Sequence, residues 1–342
     1  MGSEMCIRDR PRWVTMSNYK EMPIAKALNA GLSQAMSAND KVLMFGEDVA
    51  ELGGVFRVTE GLLDKFGDKR IFNTPIAESG IVGTAIGLAM RGYRPVVEIQ
   101  FDGFVFPAFN QITTQLARLT YRSEGFLEMP VVIRIPYGGG IGAVEHHSES
   151  PEAYFAHTPG LRIVTPSNPN DAYWMMQQAI ECPDPVIMLE PKRRYWQKGP
   201  VNLDTPPLPL HSARLMREGT QVTLIAYGPM VTAALQAAEI GAEEGVSIEV
   251  IDIRSLSPID YPTIMASVKK TSRAVIVHEA PTNVSISSEI AARISNEAFY
   301  NLEAPVIRVG GFDTPYPPAK LEEIYLPDAD RILEAIDRSL AY

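Results

Sequence analysis

Short apolar runs alternate with helix-length stretches along most of this 342-residue chain, and the alternation stops once, at a proline-rich break, before it resumes. Val42–Phe45, Pro95–Gln100, Val131–Ile135, Arg162–Thr165 and Val186–Leu189 are runs of strand length. Between them lie helical patterns over Ile24–Met36, Gly80–Met90, Pro107–Leu119 and Asn170–Ile180. Strands separated by helices run parallel, because each helix carries the chain back to the end of the sheet where the strand began. The break, VNLDTPPLPLH from Val201 to His211, has no periodicity and marks a connection. After it come strands over Val222–Ala226, Ser247–Ile253, Ala274–Val277 and Val306–Val309, with helices over Val231–Glu244 and Ser285–Asn296. The expectation is an α/β protein of two parallel-sheet domains, residues 16–200 and 216–342, joined by a linker over 201–215.

That length allows each domain its own core. A net charge of −10 argues against duplex nucleic acid as a partner, since phosphate neutralisation needs clustered Lys and Arg. The same charge fits either plain solubility or acidic patches for a basic protein. Only Cys6 and Cys182 occur, which removes a disulfide framework and a thiolate metal site and fits a reducing cytoplasm. No run of eighteen apolar residues is present to span a membrane. The first fifteen residues, MGSEMCIRDRPRWVT, have neither a signal-peptide core nor helical periodicity; Met16 is taken as the true start, with residues 1–15 extraneous and disordered.

Chemistry concentrates in three places. Glu78 is the one carboxylate in FNTPIAESGIVG, ahead of a segment, Ile81–Met90, that is apolar on every side. At the mouth of a buried helix it should lose solvation and gain a raised pKa, the tuning needed for proton exchange near neutrality. The plainer reading is a carboxylate that satisfies free N–H groups at a helix start. Phe101 closes the strand that begins at Pro95, where parallel sheets collect ligands, and an aromatic there suits a heterocycle as well as a core. The third place is YGGGIGAVEHHSES, residues 137–150, a glycine-rich loop after a strand. Its amides suit a phosphate, although neither a Walker pattern nor GxGxxG is present. His146, His147 and His157, with Glu145 and Glu149, raise the question of zinc, but adjacent histidines diverge and no second ligand cluster exists. A proton-handling histidine competes with an exposed loop histidine as the alternative.

Several of these motifs, in order, carry a resemblance. TPIAESGIVG, EIQFDGF, HHSESPEAYFAHTPGLRIVTPS and HEAP (His278–Pro281) are similar to the beta subunit of the thiamine-diphosphate-dependent 2-oxo acid dehydrogenases. This is the decarboxylating first component of the pyruvate and branched-chain complexes, and the match runs from about Met22 to Leu333. The resemblance implies a transketolase-like fold, a pyrimidine-binding domain followed by a transketolase C-terminal domain. It implies that Glu78 hydrogen-bonds a ring nitrogen of the cofactor's aminopyrimidine and that Phe101 packs on that ring. It gives His147 the role of assisting reductive acylation of a lipoyl group, with His146 and Tyr137 as weaker candidates for the substrate pocket. The family's HSQ reads His147-Ser-Glu149 here, and the added charge should raise the pKa of a nearby imidazole. A structural monovalent cation, potassium as the candidate, is implied at Val131, Ala179, Ile180, Cys182 and Asp184. At those residues the plain alternative is a helix stopped by Pro183 and Pro185.

The family's diphosphate and magnesium motif, a GDG run followed by Asn, does not occur in this sequence. The resemblance therefore implies a separate alpha subunit that holds magnesium and the diphosphate, active sites shared in an α2β2 heterotetramer, and a lipoyl-bearing acyltransferase core as a further partner. The C-terminal acids Glu322, Glu323, Asp328 and Asp330 suit a basic docking domain or a solvated surface equally well. GGVFRVT, FNTP and FPAF lean towards branched-chain 2-oxo acids, with pyruvate and acetoin as alternatives. A non-catalytic assembly subunit is the reading from another class, and a fragment of a single-chain transketolase or deoxyxylulose phosphate synthase is a third.

Overall fold

A computed structural model describes residues 18–342. The expectation for residues 1–15, and Cys6 with it, lies outside the described residues. The strands of the first part are β1 (Tyr19–Pro23), β2 (Val42–Gly46), β3 (Ile71–Asn73), β4 (Arg94–Glu98), β5 (Val132–Tyr137), β6 (Arg162–Val164), β7 (Val186–Pro191) and β8 (Lys198–Asn202). The second part contributes β9 (Arg214–Arg217), β10 (Val222–Ala226), β11 (Ile248–Asp252), β12 (Ser255–Ser257), β13 (Ala274–Pro281) and β14 (Ile307–Gly311). A seven-stranded sheet runs β12-β6-β7-β5-β4-β2-β3 and a five-stranded sheet runs β14-β13-β10-β11-β9. Every strand expected from the apolar runs lies in one of them, and all pairings among those strands are parallel.

Period-two alternation sorts each strand between two cores. On β2, Val42 and Met44 face the helices Ile24–Ala38 and Pro169–Glu181, while Leu43 and Phe45 face the opposite side. The two helices approach closely at Gly31, where a Cβ would lie 2.4 Å from the Tyr173 carbonyl oxygen. The opposite core does not end with the first sheet: Phe45, Ile133 and Ile187 belong to one cluster with Ile225, Ile251 and Ile276 of the second.

The sheets are also stitched together. After β11 the chain crosses back, and β12 pairs antiparallel with β6 at the edge of the first sheet. Buried Arg254 fixes the crossing, with Asp171 3.2 Å away and the Pro209 and Ser212 carbonyls accepting from its Nη1. The proline-rich break is bordered by structure, since β8 pairs with β1 before it and β9 closes the second sheet after it.

Two helical expectations differ. In place of one helix over Pro107–Leu119, a 3₁₀ segment (Asp102–Ala108), a π segment (Gln111–Leu116) and an α segment (Ala117–Arg122) follow one another. Pro107 removes a donor, and the Thr113 and Thr114 hydroxyls take the Phe109 and Asn110 carbonyls, loosening the ladder. The helix Glu78–Met90 buries Ile81, Val82, Ala85 and Ala89 but leaves Gly80, Gly83, Thr84 and Gly87 exposed, so it is not enclosed on every side in the single chain. No helix among the described residues is long and apolar enough to cross a membrane.

Candidate active site

β2, β3 and β4 lie side by side and parallel, with Gly46 opposite both Asn73 and Glu98, so the segments that leave their carboxyl ends emerge together. Glu47 follows β2, the helix opened by Glu78 follows β3, and Phe101 follows β4. Gln100 ties two of these ends, donating from Nε2 to the Glu47 carbonyl at 3.3 Å. A second carboxylate, Glu47, loses solvation at these strand ends. Glu47 is buried, its pKa is raised by burial first and then by the negative charges of Glu78, Asp48 and Glu98, and its Oε1 has no partner. Glu78 is half-buried in the first helical turn, close enough to act on Glu47 through its charge. Sequence reasoning passed over Glu47, although an acid directly after the apolar run VLMFG was a usable signal.

Phe101 and His147 meet although they lie 46 positions apart in the sequence; their ring centroids are 4.2 Å apart. Phe56 lies 5.6 Å and Phe104 5.9 Å from Phe101, both edge-on, which completes an aromatic cluster at the strand ends. The His147 Nδ1 is buried without a partner. Burial, then His146 and Lys192, lower its pKa, and Glu145 opposes them. The imidazole that Glu149 meets through its charge is that of His146, while its backbone N–H donates to Asp102 Oδ2 at 2.9 Å and burial, then Glu145, raise its own carboxyl. His146 is exposed, its ring 4.4 Å from that of His147. Tyr137 is interior, its hydroxyl 3.1 Å from Thr165 Oγ1 within the core shared by the two sheets.

A second layer of charge supports this cluster. Asp102 and Lys192 form a buried ion pair of 2.5 Å beneath Phe101. Arg134 bridges Glu98 and Glu190, at 2.5 and 2.7 Å, and the Tyr195 hydroxyl donates to Glu190. The signal for Arg134 and Glu190 was a lone charge inside an apolar strand, as in VVIRIPY and VIMLEP. The glycine loop holds carboxylates, not an open anion cradle: Glu279 accepts from Gly139, and Glu322 accepts from Gly140 and Gly142. Glu322 is therefore an interior residue rather than part of an acidic surface. His278 of the HEAP motif is buried against Ser287 Oγ at 2.7 Å, with its pKa pushed down to about 4 by burial.

The five residues proposed for a monovalent cation are already engaged within the chain. The Ile180 and Cys182 carbonyls both accept from Arg94 Nη1, at 2.7 and 3.3 Å. The Val131 and Ala179 carbonyls accept from the Val186 and Cys182 amides, and Asp184 pairs with Arg162. The Arg94 guanidinium takes one lone pair of each of the Ile180 and Cys182 carbonyls and places a positive charge beside them. Burial raises the pKa of the Cys182 thiol, which keeps it unreactive. Among the described residues no three His, Cys, Asp or Glu side chains converge as metal ligands, so the histidine loop is not a zinc site of that kind.

The family model for the transketolase pyrimidine-binding domain matches residues 20–197, and that for the transketolase C-terminal domain matches residues 211–332. The chain is 66% identical over 323 residues to a pyruvate dehydrogenase E1 component subunit beta of Leifsonia xyli subsp. xyli, covering 94% of this chain and 96% of the relative. It is 53% identical over 322 residues to a 3-methyl-2-oxobutanoate dehydrogenase subunit beta of Mycobacterium tuberculosis, covering 94% and 92%. A solved split-gene transketolase, described as an inactive beta4 tetramer, is similar in fold with a TM-score of 0.78 at 24% identity, over 94% of this chain and 98% of that one.

Proposed function

We propose that this chain, which belongs to the beta subunits of the 2-oxo acid dehydrogenase first component, supplies the pyrimidine half of a thiamine-diphosphate site completed by an alpha subunit. Members of this family depend on thiamine diphosphate and work with an alpha subunit in a multienzyme complex. The observation that carries the reading is the convergence of an aromatic cluster, unpaired buried polar atoms and paired acids at the ends of parallel strands. A flat, nitrogen-bearing ring fits it: Phe101 offers the packing face, and Glu78 offers a carboxyl to a ring nitrogen. Glu47, whose pKa is raised by burial and by the charge of Glu78 among others, adds a second acid at the same strand ends.

Thiamine diphosphate, when bound, supplies the electron sink for loss of carbon dioxide. The chain's own residues hold and orient that group and move protons around it. His147, kept neutral by burial and by its positive neighbours, is suited to exchange a proton with an incoming lipoyl group. Magnesium and the diphosphate fall to the alpha subunit, the assembly is an α2β2 heterotetramer, and the acceptor is a lipoyl-bearing acyltransferase core. The domains are residues 16–200 and 216–342 about a linker over 201–215, and the reaction belongs in the cytoplasm.

The substrate is a 2-oxo acid. The sequence features favour a branched-chain one, and pyruvate is the second reading because a relative named for it is 66% identical. Co-expression with the alpha subunit, followed by kinetics with pyruvate and 2-oxoisovalerate, separates these. The same preparation tests the site. Glu78→Gln should lose about a hundredfold or more in turnover while still assembling; full activity would reduce this chain to an assembly subunit.

A further inference from the structure

The loop that carries His147 is held by both domains. Its base is closed by the Gly138 amide donating to the Glu149 carbonyl at 2.9 Å, which makes residues 138–149 a compact loop. The return limb is anchored in the first domain, where Asp102 accepts from the Glu149 amide and a Cβ on Gly103 would lie 2.1 Å from the His146 carbonyl oxygen. The outgoing limb is anchored by the second. Gly139 donates to Glu279 Oε1, Gly140 to Glu322 Oε1 at 2.7 Å, and Gly142 to Glu322 Oε2 at 3.0 Å. Glu279 is braced by Arg193 at 3.0 Å and Glu322 by the Tyr316 hydroxyl at 2.6 Å.

These contacts explain why the loop is glycine-rich. A Cβ on Gly139 would sit 1.8 Å from the Tyr316 hydroxyl oxygen, and one on Gly140, at φ +85°, would sit 2.5 Å from Arg193 Cδ. Consecutive amides that would otherwise suit a free anion are occupied by carboxylates of the same chain, each forming charge-assisted bonds. Glu322 lies 182 positions beyond Gly140, so the bond sets the loop against the C-terminal domain rather than against its own sheet.

We propose that Glu322 is a positioning residue for His147, latching the histidine loop to the second domain through Gly140 and Gly142. The proposal rests on the role given to His147 above. The test uses the assembled complex with its alpha subunit and three variants, Glu322→Ala, Glu322→Gln and His147→Ala. Hydrogen exchange over residues 138–149 is measured beside two rates, decarboxylation coupled to an artificial electron acceptor and acyl transfer to a free lipoyl domain. Losing two charge-assisted bonds should speed exchange in the loop about tenfold or more in Glu322→Ala. Acyl transfer should fall by about tenfold and by more than decarboxylation, since only the former uses His147. Glu322→Gln keeps one acceptor and sets an amide donor against Gly142, so it should fall between wild type and Glu322→Ala, and it serves if the alanine variant does not assemble. Unchanged exchange in the loop, or equal losses in the two rates, overturns the latch. His147→Ala with undiminished acyl transfer overturns the role of His147, while the exchange measurement still judges the latch.

Discussion

Lys192 and Asp102 form a buried ion pair, 2.5 Å from Nζ to Oδ1, and the ammonium lies 5.6 Å from the centre of the Phe101 ring. Burial pushes the Asp102 carboxyl up to about 6 against the pull of Lys192, and burial draws the Lys192 ammonium down. Each charge is tolerated because the other is there. The second Asp102 oxygen accepts the Glu149 amide, so one carboxylate joins the end of β4 to the loop that carries His147.

Lys192→Met should therefore cost about 3–5 kcal/mol of unfolding free energy near neutral pH, because it leaves a buried carboxylate without its cation. The cost should shrink under mildly acidic conditions, where Asp102 takes up a proton. Asp102→Asn combined with Lys192→Met should recover most of it. Urea unfolding of the two variants gives the answer, and a double variant no more stable than the single one would show that the charges are not coupled.

Gly103→Ala places a methyl group 2.1 Å from the His146 carbonyl oxygen, and a backbone carbonyl has no rotamer to turn away. The histidine loop must shift, and a displacement of this kind costs about a hundredfold in rate when it reaches a reacting group. Steady-state acyl transfer measures the loss, and wild-type transfer by Gly103→Ala counts against the close approach.

Glu152 is buried in the core, where its Oε1 accepts from the Tyr227 hydroxyl at 2.7 Å and burial pushes its pKa up to about 7 from an ordinary value of 4.5. The folded chain then holds a proton that the unfolded chain releases, so this group makes stability fall as pH rises from 4.5 to about 7, with the full cost present above that. Glu152→Gln keeps an acceptor for Tyr227 and removes the charge. Melting near pH 8 should occur about 2–4 °C higher than in wild type, with less difference near pH 5. A lower melting temperature near pH 8 would reverse the sign.

Arg94 already supplies positive charge to the Ile180 and Cys182 carbonyls. Replacing potassium by choline should leave the melting temperature within about 1 °C, since an ion that does not bind the native state adds no stability. Arg94→Met should make the same region respond to potassium. A potassium-dependent rise in the wild-type melting temperature would restore the cation site.

The central strands and their parallel direction were legible because apolar runs of strand length alternate with helices, and that pattern is local. β1 and β8 were not legible: YKEMP and KGPVN have no apolar pattern, and each becomes a strand only by pairing with the other across the whole first domain. Glu78, Phe101 and His147 were proposed from their motifs, and Phe101 and His147 lie together in the fold. Glu47 was missed because its burial depends on how the ends of β2, β3 and β4 are arranged, which no local window contains.

By itself, then, the sequence determined the parallel strands of two sheets, the proline-rich break and the motifs of a transketolase pyrimidine-binding domain. Tertiary structure alone decided which charges are buried and what they hold. Asp102 meets Lys192 across 90 positions, and Glu322 meets Gly140 across 182. The physical reason is that a carboxylate near a turn looks the same in sequence whether water or a distant amide will solvate it. Only tertiary packing excludes the water and supplies the partner, within the first domain for Asp102 and between the domains for Glu322.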